Sequence, residues 1–218
     1  MNNVTLLCTY HSEFGKSNSD ELYRILESIE PDVIFEELTE ELFDKFYNKN
    51  CIPDEPPEVR SVKRYLKDNS IIHFPVDINM SSSVSTTEIN YMFYVFKRYT
   101  TYSMLEQEQE KLVYEEGYEF LNSSKNEELT ERKKSLEESL IAFQANGYHL
   151  ARIHKLFYEE QHNREYEIIK NIYKFSENTV YKNAVLLLGS GHRRTVFNKM
   201  ESYKSDSHVM LNWKLYGS

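Results

Sequence analysis

The chain alternates between short apolar runs and longer segments in which apolar residues recur every three or four positions. Short apolar runs bounded by glycine, proline or polar residues are typical of β-strands, and the longer periodicity is typical of helices. This pattern predicts strands at 4–10, 33–38, 71–78, 184–189 and 208–215. It predicts helices at 19–29, 40–48, 58–68 and 194–203.

The segment from Thr86 to about Asn178 contains no strand pattern and no proline. Apolar and aromatic residues recur there at helical spacing, which predicts three or four long helices. Breaks are expected near Gly117, at 122–125 and at 146–147, where glycine, asparagine and serine interrupt the pattern.

The order of these elements predicts an α/β fold. Strands that are apolar along their whole length and are joined by helices favour a mainly parallel sheet, here of about five strands, with flanking helices on both faces. We predict a core domain formed by 1–85 and 179–218, and a long helical insertion or subdomain formed by 86–178. The insertion is expected to pack over one edge of the sheet.

Composition and charge narrow the functional classes. The chain carries a formal net charge of −9, which disfavours nucleic-acid binding because a phosphate backbone requires a basic surface. Between residues 103 and 140 there are 11 Glu against 5 Lys or Arg, so the insertion is the acidic part. It is a candidate surface for a homodimer or another protein partner. The 17 Tyr and 12 Phe supply much of the expected core.

Two cysteines, Cys8 and Cys51, do not predict a disulfide framework, and Cys8 lies within an apolar strand where it is expected to pack as a small core residue. The N-terminus lacks the basic and apolar regions of a signal peptide. No stretch approaches the roughly 20 apolar residues of a membrane span. The sequence therefore predicts a cytoplasmic protein.

Polar residues follow the predicted strands at the point where each strand ends. The first strand leads to His11, the second to Glu36 and Glu37, the third to Asp77, and the fourth to 189–192, which reads Gly-Ser-Gly-His. The carboxyl ends of parallel strands meet at one edge of a sheet, where ligands bind. The sequence therefore predicts one site that joins His11 to His192.

The residues around this fourth strand end suggest how a ligand is held. Gly189 and Gly191 allow a sharp turn and a close approach of the backbone to a ligand. The helix that begins there, together with Arg193, favours an anionic group. Adjacent residues of a strand face opposite sides, so at most one of Glu36 and Glu37 is expected to point into the site.

Two kinds of chemistry fit two imidazoles and a carboxylate. They can bind a divalent metal such as Zn, Mn or Co that activates a water molecule, or they can act without metal, with a His–Glu pair as general base and orienting group. Two common motifs do not fit. A nucleophile elbow requires glycine where Leu188 stands, and a dinucleotide-binding motif requires glycine where Arg194 stands.

Four segments in this order, LLCTYHSEFG, EPDVIFEEL, NREYEIIKNI and AVLLLGSGHRRTV, resemble the superfamily of Tiki/TraB, erythromycin-esterase-like and ChaN-like proteins. The pattern of that superfamily is a G-x-x-H motif after the first strand, a P-D-x-V-x-x-E-L strand, an arginine in a late helix, and a second G-x-x-H motif. His11, Glu37, Arg164 and His192 occupy the positions of its polar residues. Gly189 matches the glycine of the second motif, and Cys8 stands where the first motif has glycine.

The resemblance implies hydrolysis, and it leaves the substrate open between a peptide and a small molecule. It implies that His11, Glu37 and His192 bind a divalent metal or act as base and orienting group, and that Arg164 holds substrate charge or a developing oxyanion. Asp77, Gly189, Gly191 and Arg193 are the further candidates for binding substrate or an anion. ChaN-like members bind haem, so a tetrapyrrole or other small ligand, bound without catalysis, is the alternative.

Overall fold

A computed structural model describes residues 2–49, 52–80, 82–203 and 209–217. Cys51 and His208, the first residue of the last predicted strand, lie outside the described residues. Cys8 is a free, buried cysteine.

Five strands of the described chain form a single parallel sheet, which confirms the predicted fold class. Their order across the sheet is β3-β2-β4-β1-β5, so β4, which comes late in the chain, lies between β2 and β1. Strands β2, β3 and β5 are shorter than predicted by two, four and three residues, and β1 and β4 are each one residue longer. Their bounds are Asn2–Thr9 (β1), Val33–Glu36 (β2), Ile72–Pro75 (β3), Asn183–Gly189 (β4) and Leu211–Leu215 (β5).

Three helical segments connect the first three strands. Helix α1 begins because the side chain of Asn18 accepts a hydrogen bond from the Glu21 N–H group, at 2.9 Å, and thereby caps the first turn. Thr39 caps α2 in the same way, but the predicted helix at 40–48 changes to a π-helical turn at Asp44–Asn48. The helices are Ser19–Ile29 (α1), Glu40–Phe43 (α2) and Pro57–Asp68 (α3).

The segment 86–178 consists of helices separated by short breaks, and the three predicted breaks are present. One further break, at Arg98 and Tyr99, was not predicted. No helix in the described part of the chain combines the length and the apolar composition needed to span a membrane. The helices are Thr86–Lys97 (α4), Thr100–Glu116 (α5), Tyr118–Leu121 (α6), Ser124–Ala142 (α7) and Gly147–Asn178 (α8). After β4, a 3-10 turn at Ser190–His192 leads into α9, Arg193–Tyr203.

Helices cover both faces of the sheet. On one face the C-terminal half of α8 and helix α9 pack against alternate strand residues such as Leu6 and Phe35. On the other face α1, α3 and the α5–α7 region pack against Leu7, Ile34 and Leu187. A third apolar cluster lies entirely within 84–157 and joins α4, α5 and the facing ends of α7 and α8. Segment 86–178 therefore has a core of its own and also forms part of the layers that cover the sheet.

Helix α8 connects these regions. Its 32 residues correspond to a length of about 48 Å. Its N-terminal half packs in the cluster within the insertion, and Ile168, Ile169 and Ile172 of its C-terminal half pack on the sheet. Residues in the middle of α8 consequently lie beside the carboxyl ends of the strands.

The end of β1 is held by a side chain of the insertion. Strand β5 pairs with β1 only as far as Leu6, so the next backbone groups have no strand partner on that side. Asn122 supplies one, because its Oδ1 accepts from the Cys8 N–H group at 2.8 Å and its Nδ2 donates to the Cys8 carbonyl at 3.0 Å. This buried amide extends the hydrogen-bond ladder of the strand that leads to His11.

Replacing Asn122 by Ala is expected to destabilise the fold by about 1–3 kcal/mol, because two buried backbone groups of Cys8 lose their partner. Urea unfolding of the two proteins measures the difference. Asn198→Ala is the matched control, since Asn198 is exposed on α9, and its change should stay within about 0.5 kcal/mol. Equal stability of the two variants would show that Asn122 does not support β1.

Candidate active site

Three neighbouring strands, β2, β4 and β1, bring Glu37, His192 and His11 to the same edge of the sheet. Nε2 of His11 lies 3.9 Å from Oε2 of Glu37, and Nε2 of His192 lies 3.7 Å from Oε1. His11 and His192 thus both lie beside the same carboxylate, that of Glu37. The two distances exceed a direct hydrogen bond, so each ring lies beside the carboxylate without being hydrogen-bonded to it.

The Glu37 carboxylate is fixed by two donors. The backbone N–H of Gly189 donates to Oε2 at 2.6 Å, and Nη2 of Arg164 donates to Oε1 at 3.2 Å. The side chain of Glu37 is only 9% exposed. A carboxylate so nearly buried is retained because both of its oxygens have partners, one of which carries a positive charge.

Arg164 is itself held by Asp77. Its Nε and Nη2 atoms donate to the two carboxylate oxygens at 3.2 and 2.7 Å, and its Nη1 donates to Gln161. Burial alone would lower the pKa of Arg164, but the hydrogen bonds and charge of Asp77, with the charge of Glu37, raise it. Arg164 and Asp77 therefore act on Glu37, and the guanidinium is already engaged at the position where substrate charge was predicted.

Each of the two histidines has a second carboxylate behind it. Nδ1 of His11 bonds to Oε1 of Glu58 on α3 at 2.9 Å, and Nδ1 of His192 bonds to Oε1 of Glu165 on α8 at 2.7 Å. A carboxylate only accepts, so each Nδ1 carries a hydrogen. In the neutral ring this leaves the lone pair on Nε2, which is the atom nearest Glu37.

The two carboxylates differ in how their charge is balanced. Glu165 also accepts from Thr195 at 2.7 Å and from the ammonium of Lys199. Burial would raise the pKa of Glu165, but the hydrogen bonds from His192, Lys199 and Thr195 outweigh it and lower the pKa. Glu58 has no cation besides His11 within ion-pair distance among the described residues. The hydrogen bond to Glu58 raises the pKa of His11, although burial partly opposes the shift.

Glu58 and Glu165 were not predicted from the sequence. Both occupy the apolar side of an amphipathic helix: Glu58 shares its side of α3 with Val62 and Tyr65, and Glu165 shares its side of α8 with Ile168 and Ile172. A charged residue in an apolar stripe must find a buried partner. A glutamate at the spacing of the apolar residues of a helix is therefore the sequence signal for a buried carboxylate. Its partner is known only from the folded structure.

Glu36 faces away from the site, as the alternation of a strand requires. Its carboxylate accepts from the hydroxyl of Tyr47 at 2.5 Å and from Nδ1 of His73 at 2.9 Å. Burial raises the pKa of Glu36, and the hydrogen bonds from His73 and Tyr47 oppose this shift. Of the two adjacent glutamates, Glu37 alone joins the histidines.

The remaining predicted residues lie at different places. Gly189 and Gly191 line the cleft described below. A Cβ atom at Gly189 would lie 2.9 Å from Nε2 of His11 and 3.3 Å from Oε2 of Glu37, so a larger residue there would require the His11 ring to move. Arg193 does not join the site. Its buried guanidinium pairs with Glu127 of α7 and does not line the cleft, so the expectation that it binds an anion there has no support.

A cleft of about 600 Å³ opens above the two histidines. Its floor is formed by the ends of β1 and β4, and its walls by α4, α5, α7 and α8 of the insertion. Phe93, Tyr102, Phe157 and Tyr158 give the walls an aromatic character. A volume of this size suits a ligand of drug-like dimensions.

The loop that carries His11 is locked to the insertion. Gly15 and Gly117 both have positive φ. A Cβ atom on Gly15 would collide with the backbone of Tyr114, and one on Gly117 would collide with the backbone of Lys16. The Lys16 N–H also donates to the Tyr114 carbonyl at 3.0 Å.

Cys8, at the motif-glycine position, points into the core, and burial raises the pKa of its thiol to about 12, so it is not a nucleophile.

The donor set is a poor match for the divalent metal that the family resemblance implies. Within the described residues, no group of three or more His, Cys, Asp or Glu side chains is arranged to hold a metal ion. A cation between His11, Glu37 and His192 would also lie close to the Arg164 guanidinium, whose Nη2 is 3.2 Å from Oε1 of Glu37.

Comparison of the chain with protein-family models, with curated proteins and with solved structures gave no match. The resemblance to the Tiki/TraB superfamily stays a prediction, and the functional argument rests on the geometry of the site.

Gly189→Ala is expected to displace the His11 ring, because the new methyl group occupies space within 2.9 Å of Nε2. The displacement should appear as a shift of the His11 Cε1–H signal in NMR spectra. Gly191→Ala is the matched control two residues away, where a Cβ atom meets nothing within 4 Å. Equal effects of the two substitutions would contradict the close approach.

Glu58→Gln is expected to lower the pKa of His11 toward the ordinary histidine value, because the amide removes the negative charge beside Nδ1. NMR titration of the His11 ring measures this shift, and Glu165→Gln should leave the pKa of His11 unchanged. A raised folded-state pKa also means that the pair stabilises the fold fully below the unfolded pKa and progressively less as pH rises through the folded pKa. A His11 pKa that is insensitive to Glu58→Gln would exclude the pair.

Proposed function

We propose that the protein is a hydrolase that cleaves an ester or amide bond in the cleft above His11 and His192. The observation that supports it is the paired arrangement of imidazoles: each ring binds a buried carboxylate through Nδ1 and turns Nε2 toward Glu37 at the floor of a cleft. This is the arrangement expected of general bases and acids whose rings are held in one tautomer.

In the proposed reaction His192 is the general base. Its Nε2 removes a proton from a water molecule, and the water oxygen forms a bond to the carbonyl carbon of the substrate. The other water proton is held by Glu37, whose Oε1 lies 3.7 Å from Nε2 of His192. Glu165, linked to Lys199 and Thr195, keeps the His192 ring in place and stabilises the imidazolium that forms.

His11 is the general acid. Because the Glu58 hydrogen bond raises its pKa, the ring holds its second proton to higher pH than an ordinary histidine. That proton passes from Nε2 to the leaving oxygen or nitrogen as its bond to the carbonyl carbon breaks. The products are a carboxylic acid and an alcohol or amine, and solvent restores the proton on His11 and removes the one on His192.

Arg164 and Asp77 are positioning residues in this proposal. They hold Glu37 through a hydrogen-bonded chain from Asp77 to Arg164 to Glu37. The reaction needs no group beyond these side chains and water. A metal-dependent route stays a separate prediction, as do a cytoplasmic location and contact of the insertion with a second copy or another protein.

The rival proposal is a binding protein for haem or another flat ligand. It rests on the same cleft, whose aromatic walls would suit a tetrapyrrole as well as an acyl substrate. The two proposals differ in what they require of the protein, because ligand binding does not need the Nδ1 carboxylates to select one tautomer on both rings.

His11→Ala and His192→Ala are each expected to reduce turnover of an ester or amide substrate by at least about 100-fold, the usual contribution of general acid–base catalysis. A screen of 4-nitrophenyl esters and chromogenic amides, run with and without chelator, measures turnover. Circular dichroism should show that both variants remain folded, and His149→Ala, at an exposed position of α8, should retain full activity.

Retained activity in both histidine variants would exclude the proposed mechanism. Activity abolished by the chelator and restored by Mn, Co or Zn would replace it with a metal-dependent one. A Soret band on addition of haem, without turnover of any substrate, would favour the binding protein.

A further inference from the structure

The cleft extends from the histidines into the insertion, and its far end is built differently from its floor. The floor is formed by residues 9–12 and 189–192. The far end is formed by α5, α7 and α8, where Glu137 accepts hydrogen bonds from the hydroxyls of Tyr102 and Tyr158 at 2.9 and 2.8 Å. A bound molecule that fills the cleft must contact both ends.

Most charged groups along the cleft are already paired. Glu106 lies 3.6 Å from Lys133, Glu131 lies 3.7 Å from Arg194, and Glu165 is held by His192 and Lys199. Glu110 is exposed. Glu137 is bound by Tyr102, Tyr158 and His154, so four of the five Glu side chains that line the cleft have hydrogen-bond or ion-pair partners.

Lys134 differs from the other lysine of the cleft. Its ammonium lies over the ring of Tyr158, 4.5 Å from the centroid, and the described residues place no carboxylate oxygen within 4.0 Å of it. The side chain is half-buried and lines the cleft. An ammonium held on a ring face keeps N–H donors directed away from that ring, and these suit an anionic group.

The separation between Lys134 and the histidine end of the cleft follows from the spacing of residues along helix α8. Tyr158 lies beneath Lys134, and Glu165, seven residues further along the helix, binds His192. Seven residues of helix correspond to about 10 Å. On α8 the wall between them is formed by Gln161 and His162. Phe157, on the other side of Tyr158, packs edge-on against Phe93 at 5.5 Å between ring centroids.

We propose that the substrate is a small acyl compound whose scissile carbonyl lies at His11 and His192 and whose far end is an anionic group bound by Lys134, with a spacer of about 10 Å between them. This inference rests on the proposed hydrolase function. The anionic end is a carboxylate, phosphate or sulfate, and the cleft selects a molecule of limited length because both ends are built into the fold.

A series of 4-nitrophenyl half-esters of dicarboxylic acids tests the proposal, with succinate, suberate and dodecanedioate as the acids. The suberate comes nearest to the required span. Its kcat/KM should exceed that of the shorter and longer esters, and that of the matched half-ester in which an uncharged amide replaces the free carboxylate. Lys134→Met should lower kcat/KM for the suberate about tenfold through KM, the size of a lost charge-assisted hydrogen bond, and leave the amide unchanged.

Two further variants serve as controls. Lys134→Arg keeps the charge and should keep the preference for the suberate. Lys125→Met, an exposed lysine of the same helix that does not line the cleft, should behave like the unchanged protein. Equal turnover of charged and uncharged half-esters, with no effect of Lys134→Met, would overturn the inference and leave the hydrolase intact.

A binding measurement separates the two proposals. Calorimetric titration of suberate dianion into the His192→Ala protein should show binding that Lys134→Met weakens about tenfold. If no ester is hydrolysed but this binding is observed, the hydrolase fails and the anion-binding end of the cleft stands. If neither binding nor a charge preference in turnover is observed, the role of Lys134 is excluded.

Discussion

The arrangement of the site depends on the Glu37 carboxylate and the two donors that hold it. Parallel pairing of β2 with β4 sets Glu36 opposite Leu187, so Glu37 arrives at the level where the Gly189 N–H can reach it. Arg164 approaches from α8 and supplies the compensating charge. A nearly buried carboxylate without those partners would be costly, and with them it becomes a fixed point to which both histidines are directed.

The strands and the residues at their ends could be predicted because both depend on local sequence. Apolar runs indicate the strands, parallel pairing puts their ends on one edge, and His11, Glu37 and His192 follow from that geometry. Strand alternation also predicts that Glu36 and Glu37 point apart, and the bonds of Glu36 to Tyr47 and His73 show how the other glutamate is satisfied.

Features set by tertiary contacts could not be predicted from local pattern. Glu58 and Glu165 lie on helices far along the chain from the histidines they bind. Arg193 directly follows His192 at the same strand end, yet its side chain pairs with Glu127 on α7. The π-helical turn at Asp44–Asn48 carries Tyr47, whose hydroxyl donates a hydrogen bond to the buried Glu36. Hydrophobic periodicity predicts a helix in this segment, but it does not show that the helix changes type there.

The helical insertion is part of the site rather than a cover laid over it. Arg164 and Glu165 come from the helix that also carries Tyr158, and Asn122 and Gly117 anchor β1 and the His11 loop to α5 and α6. Since one helix joins the histidine end of the cleft to its far end, a change that shifts α8 along its axis would move the Glu165–His192 pair and the Tyr158 ring together. Under the proposed function, altering only the residues near Tyr158 would change which substrates the cleft accepts while the histidines keep their carboxylates, so selectivity and reactivity would be separable along a single helix.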